Sequence, residues 1–292
     1  MHLGILADET SWYFRDIARA AGDAGHECAR LEFAQLTGGV IGQNALFSSP
    51  SGDGGLFDCD CVIVRSMPLG SLEQVVFRMD VLARFEAAGT PVINPPKSLE
   101  CAIDKYLTTS RLAAAGLPVP ETIVCQTADQ AIIACEKLGG DVVVKPLFGA
   151  EGRGIVRVCD HDTAWRVCST LERIGAVLYL QRFIDHGGSD VRILVLGDRV
   201  LGGMRRVATT GFRTNVSQQG HAERHVPTDR EADLALRAVA ATGAKFAGVD
   251  LLYDRDGCCY VIEVNGVPGW KAFARVNQMD VAAVFVGWLN TL

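Results

Sequence analysis

The sequence predicts an α/β N-terminal domain followed by a larger α+β region, and two patterns support this prediction. Before about residue 95, short apolar runs alternate with amphipathic helices, which is typical of a parallel sheet covered on both faces. After about residue 120, apolar runs of strand length follow one another in hairpin-like pairs, which indicates antiparallel strands. The boundary between the two regions is therefore expected near residues 95–120.

The N-terminal elements are placed by apolar runs, helical periodicity and glycine. Four strands are expected, at residues 3–7, 26–33, 61–65 and 91–94. Two helices are expected between them, each followed by a glycine suited to end it, at residues 11–24 and 72–88. The stretch 37–55 is rich in Gly, Ser and Asn and is expected to form a loop.

The α+β region is predicted to contain three helices, at residues 98–115, 128–138 and 229–243. Its strands are predicted from short apolar runs, at residues 122–125, 142–145, 152–158, 177–184, 191–196, 200–206, 248–253 and 259–264. The last four strands form two hairpin-like pairs. Residues 221–225, with two histidines around a glutamate, are expected to be a polar loop rather than a metal-binding helix.

Composition predicts a soluble cytoplasmic protein with no nucleic-acid or membrane partner. The chain has 292 residues, 49% of them hydrophobic, which is enough for a packed core. Its 28 basic and 34 acidic residues give a net charge of −6 without a basic run, unlike a nucleic-acid surface. No signal peptide is evident, and the longest apolar run, about nine residues, is too short to cross a membrane. The ten cysteines contain no C-x-x-C pair and are expected to be reduced.

A candidate phosphate site lies at the end of the predicted strand 142–145. Lys145 closes this strand and is followed by the glycine-rich sequence GAEGRG at residues 149–154. Glycine lets backbone N–H groups approach an anion, and lysine supplies positive charge to phosphate. The loop is not a Walker motif, because no G-K-[ST] closes it. An ordinary hairpin turn explains the glycines equally well.

A candidate metal site lies on the two last predicted strands. Glu263 and Asn265 are two residues apart and therefore project from one face of a strand, with Asp250 on the neighbouring strand. Acidic residues inside apolar strands are costly unless they are paired or bind a metal. Two carboxylates and an amide oxygen suit Mg²⁺, with nucleotide phosphates completing its coordination. The alternative is a polar, solvated sheet face.

A third cluster supplies arginines and hydrogen-bonding groups. It comprises three short motifs: DVR at residues 190–192, RR at 205–206 and FRTN at 212–215. Arginine binds phosphate through two hydrogen bonds. Taken singly, each of these arginines could equally be part of a surface ion pair.

In chain order, these groups resemble the ATP-grasp superfamily, and most closely its RimK-like branch of α-L-glutamate ligases. The D-x-R, R-R, F-R-[ST]-N and E-V-N-x-x-P-G elements of that branch stand here as DVR, RR, FRTN and EVNGVPG. The resemblance implies an α/β pre-ATP-grasp, Rossmann-like domain at residues 1–96. It also implies an α+β ATP-grasp fold of two lobes, at residues 97–186 and 187–292, with the glycine loop in the first and the metal site in the second.

The resemblance also implies the cofactors ATP and Mg²⁺ (or Mn²⁺) and a role for each matching residue. Lys105 and Lys145 would contact the phosphates of ATP, and Arg206 would stabilise an acyl-phosphate and a tetrahedral intermediate. Further nucleotide contacts are implied for Gln181, Arg182, Phe183, Asp190, Arg213, Thr214 and Asn215, with Arg182 and Phe183 offering backbone groups to adenine and Asp190 facing the ribose. The metal ligands would be Asp250, Glu263 and Asn265.

The activity that the resemblance implies is an ADP-forming ligation of a carboxylate to an amine. L-Glutamate or another amino acid would be added to a small-molecule carboxylate, and Trp270-Lys271 is more similar to relatives that act on cofactor precursors of the tetrahydromethanopterin type. Homo-oligomers are common among such relatives. The alternatives are other ATP-grasp chemistry, a dipeptide ligase or a small-molecule kinase, and a non-catalytic ATP-binding regulator. A Rossmann-type dehydrogenase is excluded, because no G-x-G-x-x-G follows the first strand.

Overall fold

A computed structural model describes residues 1–41, 44–48, 59–149, 153–208 and 221–292. Its N-terminal domain contains a four-stranded parallel sheet with the order β2-β1-β5-β6. The strands are β1 (His2–Leu6), β2 (Glu27–Leu31), β5 (Cys61–Val64) and β6 (Val92–Ile93). The helices that follow β1 and β5 are α1 (Trp12–Asp23) and α2 (Leu72–Ala87). The predicted α/β domain is confirmed.

Both faces of the parallel sheet are covered, as the alternating pattern predicts. On one face, Leu3 and Ile63 share a core with Ile17 of α1 and with the C-terminal residue Phe285. On the other face, Val62 and its neighbours pack against α2. The N-terminal domain is therefore joined to the C-terminal part of the chain through a common apolar core.

The stretch predicted as a loop contains a β-hairpin, so that prediction is wrong for the described residues. Strand β3 (Thr37–Ile41) pairs antiparallel with β4 (Asn44–Ser48). The glycines and asparagine obscured two short β-prone runs, whose backbone groups pair with each other. Residues 49–55 of the predicted loop lie outside the described residues.

The helix predicted at residues 98–115 is in fact two helices. They are α3 (Pro96–Ile103) and α4 (Lys105–Ala114), separated at Asp104. Asp104 has extended backbone angles, and its carboxylate accepts a hydrogen bond from the amide of Leu107 at 2.9 Å. A capping aspartate of this kind starts a new helix, and here it places Lys105 in the first turn of α4.

A small antiparallel sheet follows, with the order β7-β10-β8-β9. Its strands are β7 (Thr122–Cys125), β8 (Val142–Lys145), β9 (Val156–Val158) and β10 (Leu178–Arg182). Two helices share its core, α5 (Ala128–Lys137) and α6 (His161–Arg173). The four strands confirm the prediction, whereas α6 was not predicted.

The largest sheet is antiparallel and has the order β13-β12-β11-β14-β15. Its strands are β11 (Ser189–Leu196), β12 (Arg199–Val207), β13 (His221–His225), β14 (Phe246–Tyr253) and β15 (Cys259–Asn265). Helix α7 (Asp229–Thr242) shares an apolar core with one face. Two further helices, α8 (Lys271–Asn277) and α9 (Val281–Leu289), join the core shared with the N-terminal domain.

Residues 221–225 form the edge strand β13, so the predicted polar loop is wrong. The strand pairs with β12, and His225 Nε2 lies 2.9 Å from a carboxylate oxygen of Glu231 in α7. Ala222 is the only apolar and the only buried residue of this strand, so the sequence carries no alternation of polar and apolar residues that would have predicted it. All ten cysteines are free thiols, as expected. No helix in the described part of the chain is long and apolar enough to span a membrane.

Asn94, at the carboxyl end of β6, links the parallel sheet to the largest sheet. Its amide oxygen accepts hydrogen bonds from the backbone N–H groups of Lys245 and Phe246, at 2.6 and 2.8 Å. Its amide nitrogen donates to the carbonyls of Phe246 and Gly266. The carboxyl edge of the parallel sheet is thereby fixed beside the start of β14 and the end of β15.

Candidate active site

A β-bulge turns Glu263 and Asn265 to the face of the largest sheet that is opposite to α7. Val261 and Val264 both belong to the core beneath α7, although strict alternation would place them on different faces. The register between β14 and β15 shifts between Asp250 and Leu251, which leaves Ile262 as the extra residue. Beyond the bulge, Glu263 lies directly opposite Asp250, and Asn265 lies opposite Gly248. The structure therefore brings the three predicted metal ligands onto one face.

Asp250 is held by two arginines. Arg192 Nε and Nη2 donate to its two carboxylate oxygens at 2.6 and 2.7 Å, and Arg206 Nη2 donates at 2.8 Å. Arg206 also donates through Nε and Nη2 to Asp190, at 2.7 and 2.5 Å. Two arginines and two aspartates thus form one network across β11, β12 and β14.

Most of the network is buried. Asp190, Arg206 and Asp250 are each less than a tenth exposed. Burial alone would raise the pKa of Asp250, but the charges and hydrogen bonds of Arg192 and Arg206 outweigh it and lower that pKa. Burial opposes the charge of Arg206, yet its two aspartates raise the pKa of its guanidinium. Asp250 is therefore an oriented carboxylate at any physiological pH.

The donor set fits Mg²⁺. None of the described residues donates a hydrogen bond to the Glu263 carboxylate, whereas Asn265 Oδ1 accepts one from the Val267 amide at 2.9 Å. The described residues contain no group of three or more His, Cys, Asp and Glu side chains that could hold a metal ion by themselves, so the amide oxygen of Asn265 is a necessary part of the donor set. Two carboxylates and an amide oxygen leave coordination positions for phosphate oxygens and water, which is how Mg²⁺ commonly binds beside a nucleotide.

Lys145 is a partly buried cation at the end of β8. Its Nζ donates to Gln181 Oε1 at 2.7 Å, and Gln181 Nε2 donates to Thr122 Oγ1 at 2.9 Å and to the Tyr179 hydroxyl at 3.1 Å. Burial lowers the pKa of Lys145 to about 8, while the charge of Glu263 opposes that shift. Gln181 therefore contacts and orients a lysine, a role that its motif did not predict.

Lys105 lies in the same electrostatic environment and contacts the glycine loop. Its Nζ donates to the carbonyl of Gly149 at 2.9 Å. Burial lowers the pKa of Lys105, and the charge of Glu263 again opposes the shift. Both predicted phosphate lysines thus interact electrostatically with a predicted metal ligand. Residues 150–152 of the loop lie outside the described residues.

The remaining predicted nucleotide contacts are less fully described. The backbone N–H of Arg182 donates to the carbonyl of Glu121 at 2.9 Å, and that of Phe183 donates to the carbonyl of Asp141 at 3.0 Å. These two N–H groups are thus engaged within the protein, and the predicted adenine contact depends on other backbone groups. Arg213, Thr214 and Asn215 lie outside the described residues.

Sequence reasoning did not single out Arg65, a buried arginine at the end of β5. Its signal was available, because an arginine closes the apolar run CVIV at the carboxyl end of a predicted parallel strand. Ligands of α/β sheets commonly bind at that edge. Asp190 was predicted to face the ribose, but both of its carboxylate oxygens accept hydrogen bonds from Arg206.

The fold is that of the ATP-grasp enzymes, and comparisons with known proteins agree. The model of the RimK-like ATP-grasp domain matches residues 102–289. A tetrahydromethanopterin:α-L-glutamate ligase of Methanosarcina acetivorans is 33% identical over 265 residues, covering 81% of this chain and 82% of the relative. A protein of the same name from Methanococcus maripaludis is 30% identical, covering 97% of this chain and 95% of the relative.

A solved structure shows the same fold. The ATP-grasp ligase PsnB, in complex with a minimal precursor, Mg and ADP, superposes with a TM-score of 0.76 at 20% identity, covering 99% of this chain and 97% of PsnB. The chain belongs to the RimK-like ATP-grasp family. It is an ATP-dependent ligase that joins a carboxylate to an amine and forms ADP.

Proposed function

We propose that this ligase adds L-glutamate to a carboxylate of a pterin-type one-carbon cofactor or its precursor. One observation carries the catalytic part: Asp250, held as an anion, faces Glu263, and Glu263 acts on the charges of Lys105 and Lys145. The substrate part is supported by two curated relatives named tetrahydromethanopterin:α-L-glutamate ligase, which match most of the chain.

The reaction has two steps. A carboxylate oxygen of the acceptor attacks the γ-phosphorus of ATP, the bond to the β,γ-bridging oxygen breaks, and ADP leaves. The glutamate amine then attacks the carbonyl carbon, the bond to the phosphate oxygen breaks, and the amine loses a proton as the amide forms. Such chemistry depends on positioning and on charge neutralisation rather than on a nucleophilic side chain.

Side chains of this protein neutralise the charge of the phosphates and orient the metal ligand Asp250. Lys145 and Lys105 supply positive charge where phosphate charge accumulates, and Lys105 also holds the start of the glycine loop. Arg206 is proposed to stabilise the acyl-phosphate and the tetrahedral intermediate while it positions Asp250. Asp250, Glu263 and Asn265 would hold Mg²⁺, or Mn²⁺ through the same oxygen ligands, and the metal would supply positive charge to the phosphate oxygens.

Glu263→Gln provides the direct test. The substitution removes the negative charge without deleting a hydrogen bond of a described residue, so ATP-dependent ligation should fall about 100- to 1,000-fold while the melting temperature stays unchanged. ADP release and the mass of the product are measured with a tetrahydromethanopterin-type acceptor, L-glutamate and Mg·ATP. The exposed Glu136→Gln on α5 is the matched control and should keep full activity. Full ligation by Glu263→Gln would refute the metal assignment.

The product distinguishes this proposal from other ATP-grasp chemistry. A ligase gives a product that is heavier than the acceptor by glutamate minus water, whereas a kinase gives a stable phosphate ester. A regulator would bind ATP without turnover. A cytoplasmic, homo-oligomeric enzyme is part of the same proposal, and light scattering of the purified protein tests the oligomeric state.

A further inference from the structure

Five side chains form what is here called the cation–aromatic cluster: Trp12, Tyr13, Arg65, Trp270 and Lys271. It lies where three segments meet, namely the carboxyl end of β5, the first turn of α1 and the chain that leads from β15 into the start of α8. None of the five has a role in the catalytic steps above.

Aromatic rings hold both cations of the cluster. The guanidinium carbon of Arg65 lies 4.9 Å from the ring centroid of Tyr13 and 4.5 Å from that of Trp270. Lys271 Nζ lies 5.5 Å from the Trp12 ring centroid. The rings contact one another as well, since the Tyr13 and Trp270 centroids are 4.7 Å apart. The two cations are therefore joined through a continuous set of ring contacts, because Trp12 and Trp270 also lie 6.5 Å apart.

Arg65 is buried without an anionic partner. It is 8% exposed, and Nη2 donates to the carbonyl of Pro268 at 2.7 Å. Its Nε is buried and has no hydrogen-bond partner among the described residues. Within the described chain, no carboxylate lies within 4.0 Å of Arg65 or of Lys271. Burial lowers the pKa of Arg65 only to about 10, so it remains a cation at neutral pH.

A purely structural role does not account for this arrangement. An unpaired buried charge is costly, and an apolar residue of similar size would pack between Tyr13 and Trp270 without that cost. An anion that enters during function offsets the cost, because arginine binds carboxylate with two hydrogen bonds. The chain between β15 and α8 also packs closely on Tyr13, because a Cβ atom at Gly269 would lie 2.5 Å from the Tyr13 hydroxyl oxygen.

The cluster is joined to the predicted metal strand. Pro268, which accepts the hydrogen bond of Arg65, is three residues beyond Asn265. Asn94 fixes the same loop by donating to the Gly266 carbonyl. An anion bound at the cluster would therefore lie at the carboxyl edge of the parallel sheet, beside the loop that leaves the metal strand.

We propose that Arg65 and Lys271 bind a carboxylate of the substrates that is not phosphorylated, with the aromatic rings fixing both cations. The proposal rests on the proposed ligase function. L-Glutamate supplies two carboxylates that do not react, and the acceptor is a second source of the same chemistry. Either source requires a cation that no protein carboxylate already neutralises, which is what the cluster provides.

The test combines kinetics and binding for three variants and a control. Lys271→Met removes an exposed charge, Arg65→Met removes the buried one, and Arg65→Lys keeps a charge but loses the planar group. The exposed Lys137→Met on α5 is the matched control. For each protein, the KM values for L-glutamate, for a tetrahydromethanopterin-type acceptor and for ATP are measured, with melting temperatures to confirm folding.

The expected result is a KM increase for one carboxylate substrate of about tenfold in Lys271→Met and more in Arg65→Met. The kcat and the KM for ATP should stay within about threefold, and Arg65→Lys should recover part of the loss. An increase confined to L-glutamate identifies the amino acid as the source, and one confined to the acceptor identifies the acceptor. Unchanged KM values for both substrates in Lys271→Met would overturn the proposal, even if Arg65→Met does not fold.

Calorimetric titration with L-glutamate and with the acceptor, each in the presence of Mg·ADP, separates this proposal from the proposed function. Binding by the wild type that Lys271→Met weakens, without any turnover, would leave the cluster assigned and the ligase proposal wrong. Turnover by the wild type, together with unaltered binding of both substrates in the variants, would overturn the assignment of the cluster and leave the proposed function standing.

Discussion

Arg206 and Arg65 are both buried arginines, and they lie in opposite electrostatic environments. Arg206, 3% exposed in the largest sheet, is bound by Asp190 and Asp250, which raise its pKa. Arg65, 8% exposed at the edge of the parallel sheet, contacts a carbonyl and two aromatic rings, and burial lowers its pKa to about 10.

The difference indicates two uses of a buried cation. A cation whose charge is already balanced orients its partner, and here Arg192 and Arg206 fix Asp250. A cation whose charge is not balanced attracts an anionic ligand, which is the role proposed for Arg65. Substitutions should therefore have different consequences in the two regions: loss of stability where the charges are paired, and loss of binding where they are not.

The largest effect is expected for Asp250→Asn. The substitution leaves Arg192 and Arg206 partly uncompensated in a buried site, which should lower the free energy of unfolding by about 3 kcal/mol. Ligation should fall by about 1,000-fold, because the oriented anion is lost. Urea unfolding and ADP release measure the two effects. Glu263→Gln, in which no arginine pairing is disturbed, should lose activity alone, and equal destabilisation of both variants would show that the arginine pairing of Asp250 does not stabilise the fold.

The second prediction concerns the pH dependence that Lys145 causes. Burial lowers its pKa from 10.5 to about 8, so the free enzyme loses the lysine proton as pH rises above about 8. The kcat/KM for ATP should then fall by about tenfold per pH unit above that value. Lys145→Arg, whose guanidinium stays protonated, should lack this decline. A flat wild-type profile up to pH 10 would contradict the lowered pKa.

The lowered pKa of Lys145 also makes the stability of the folded protein depend on pH. Because the folded-state pKa of Lys145 is below its unfolded value, the unfolded chain binds more protons between about pH 8 and 10.5. The contribution of Lys145 to the free energy of unfolding should therefore increase with pH across that range. Urea unfolding of the wild type and of Lys145→Met as a function of pH isolates this contribution. A difference between the two that does not depend on pH would count against it.

A smaller effect is expected for Glu231→Gln, away from the active site. This buried carboxylate accepts hydrogen bonds from the Thr228 amide and the Tyr253 hydroxyl, at 2.7 and 2.8 Å, and lies beside His225. The free energy of unfolding of the variant should be about 2 kcal/mol lower than that of the wild type at pH 7, and its kcat should be unchanged. Burial raises the pKa of Glu231, but hydrogen bonds from Thr228, His225 and Tyr253 lower it below 4.5. The stabilisation should thus disappear as pH falls below about 4.5. A loss of kcat would show that the surroundings of Glu231 and the active site are not independent.

The candidate metal site could be predicted from sequence because its information is local. Glu263 and Asn265 are two residues apart, and the apolar run around Asp250 marks a neighbouring strand. The bulge at Ile262 had no such signal, although it is the bulge that keeps Glu263 out of the core beneath α7. Strand periodicity alone would have placed Glu263 on the same face as buried Val261.

Contacts between residues that are far apart in the chain could not be predicted from the sequence. The pairing of Arg192 with Asp250 joins residues 58 apart, and that of Arg65 with Pro268 joins residues 203 apart. Neither follows from local periodicity. The break at Asp104 was missed for another reason: helical periodicity continues across it, and only the capping hydrogen bond of its carboxylate marks the boundary.

Isotope transfer during one turnover tests the central claim, that this chain activates a carboxylate through an acyl-phosphate. The acceptor is labelled with ¹⁸O in its carboxylate and incubated with L-glutamate and Mg·ATP, and the inorganic phosphate is analysed by mass spectrometry. One ¹⁸O atom should appear in the released phosphate, since the acceptor oxygen stays with phosphorus when the amine displaces it. Amide product accompanied by unlabelled phosphate would contradict the mechanism.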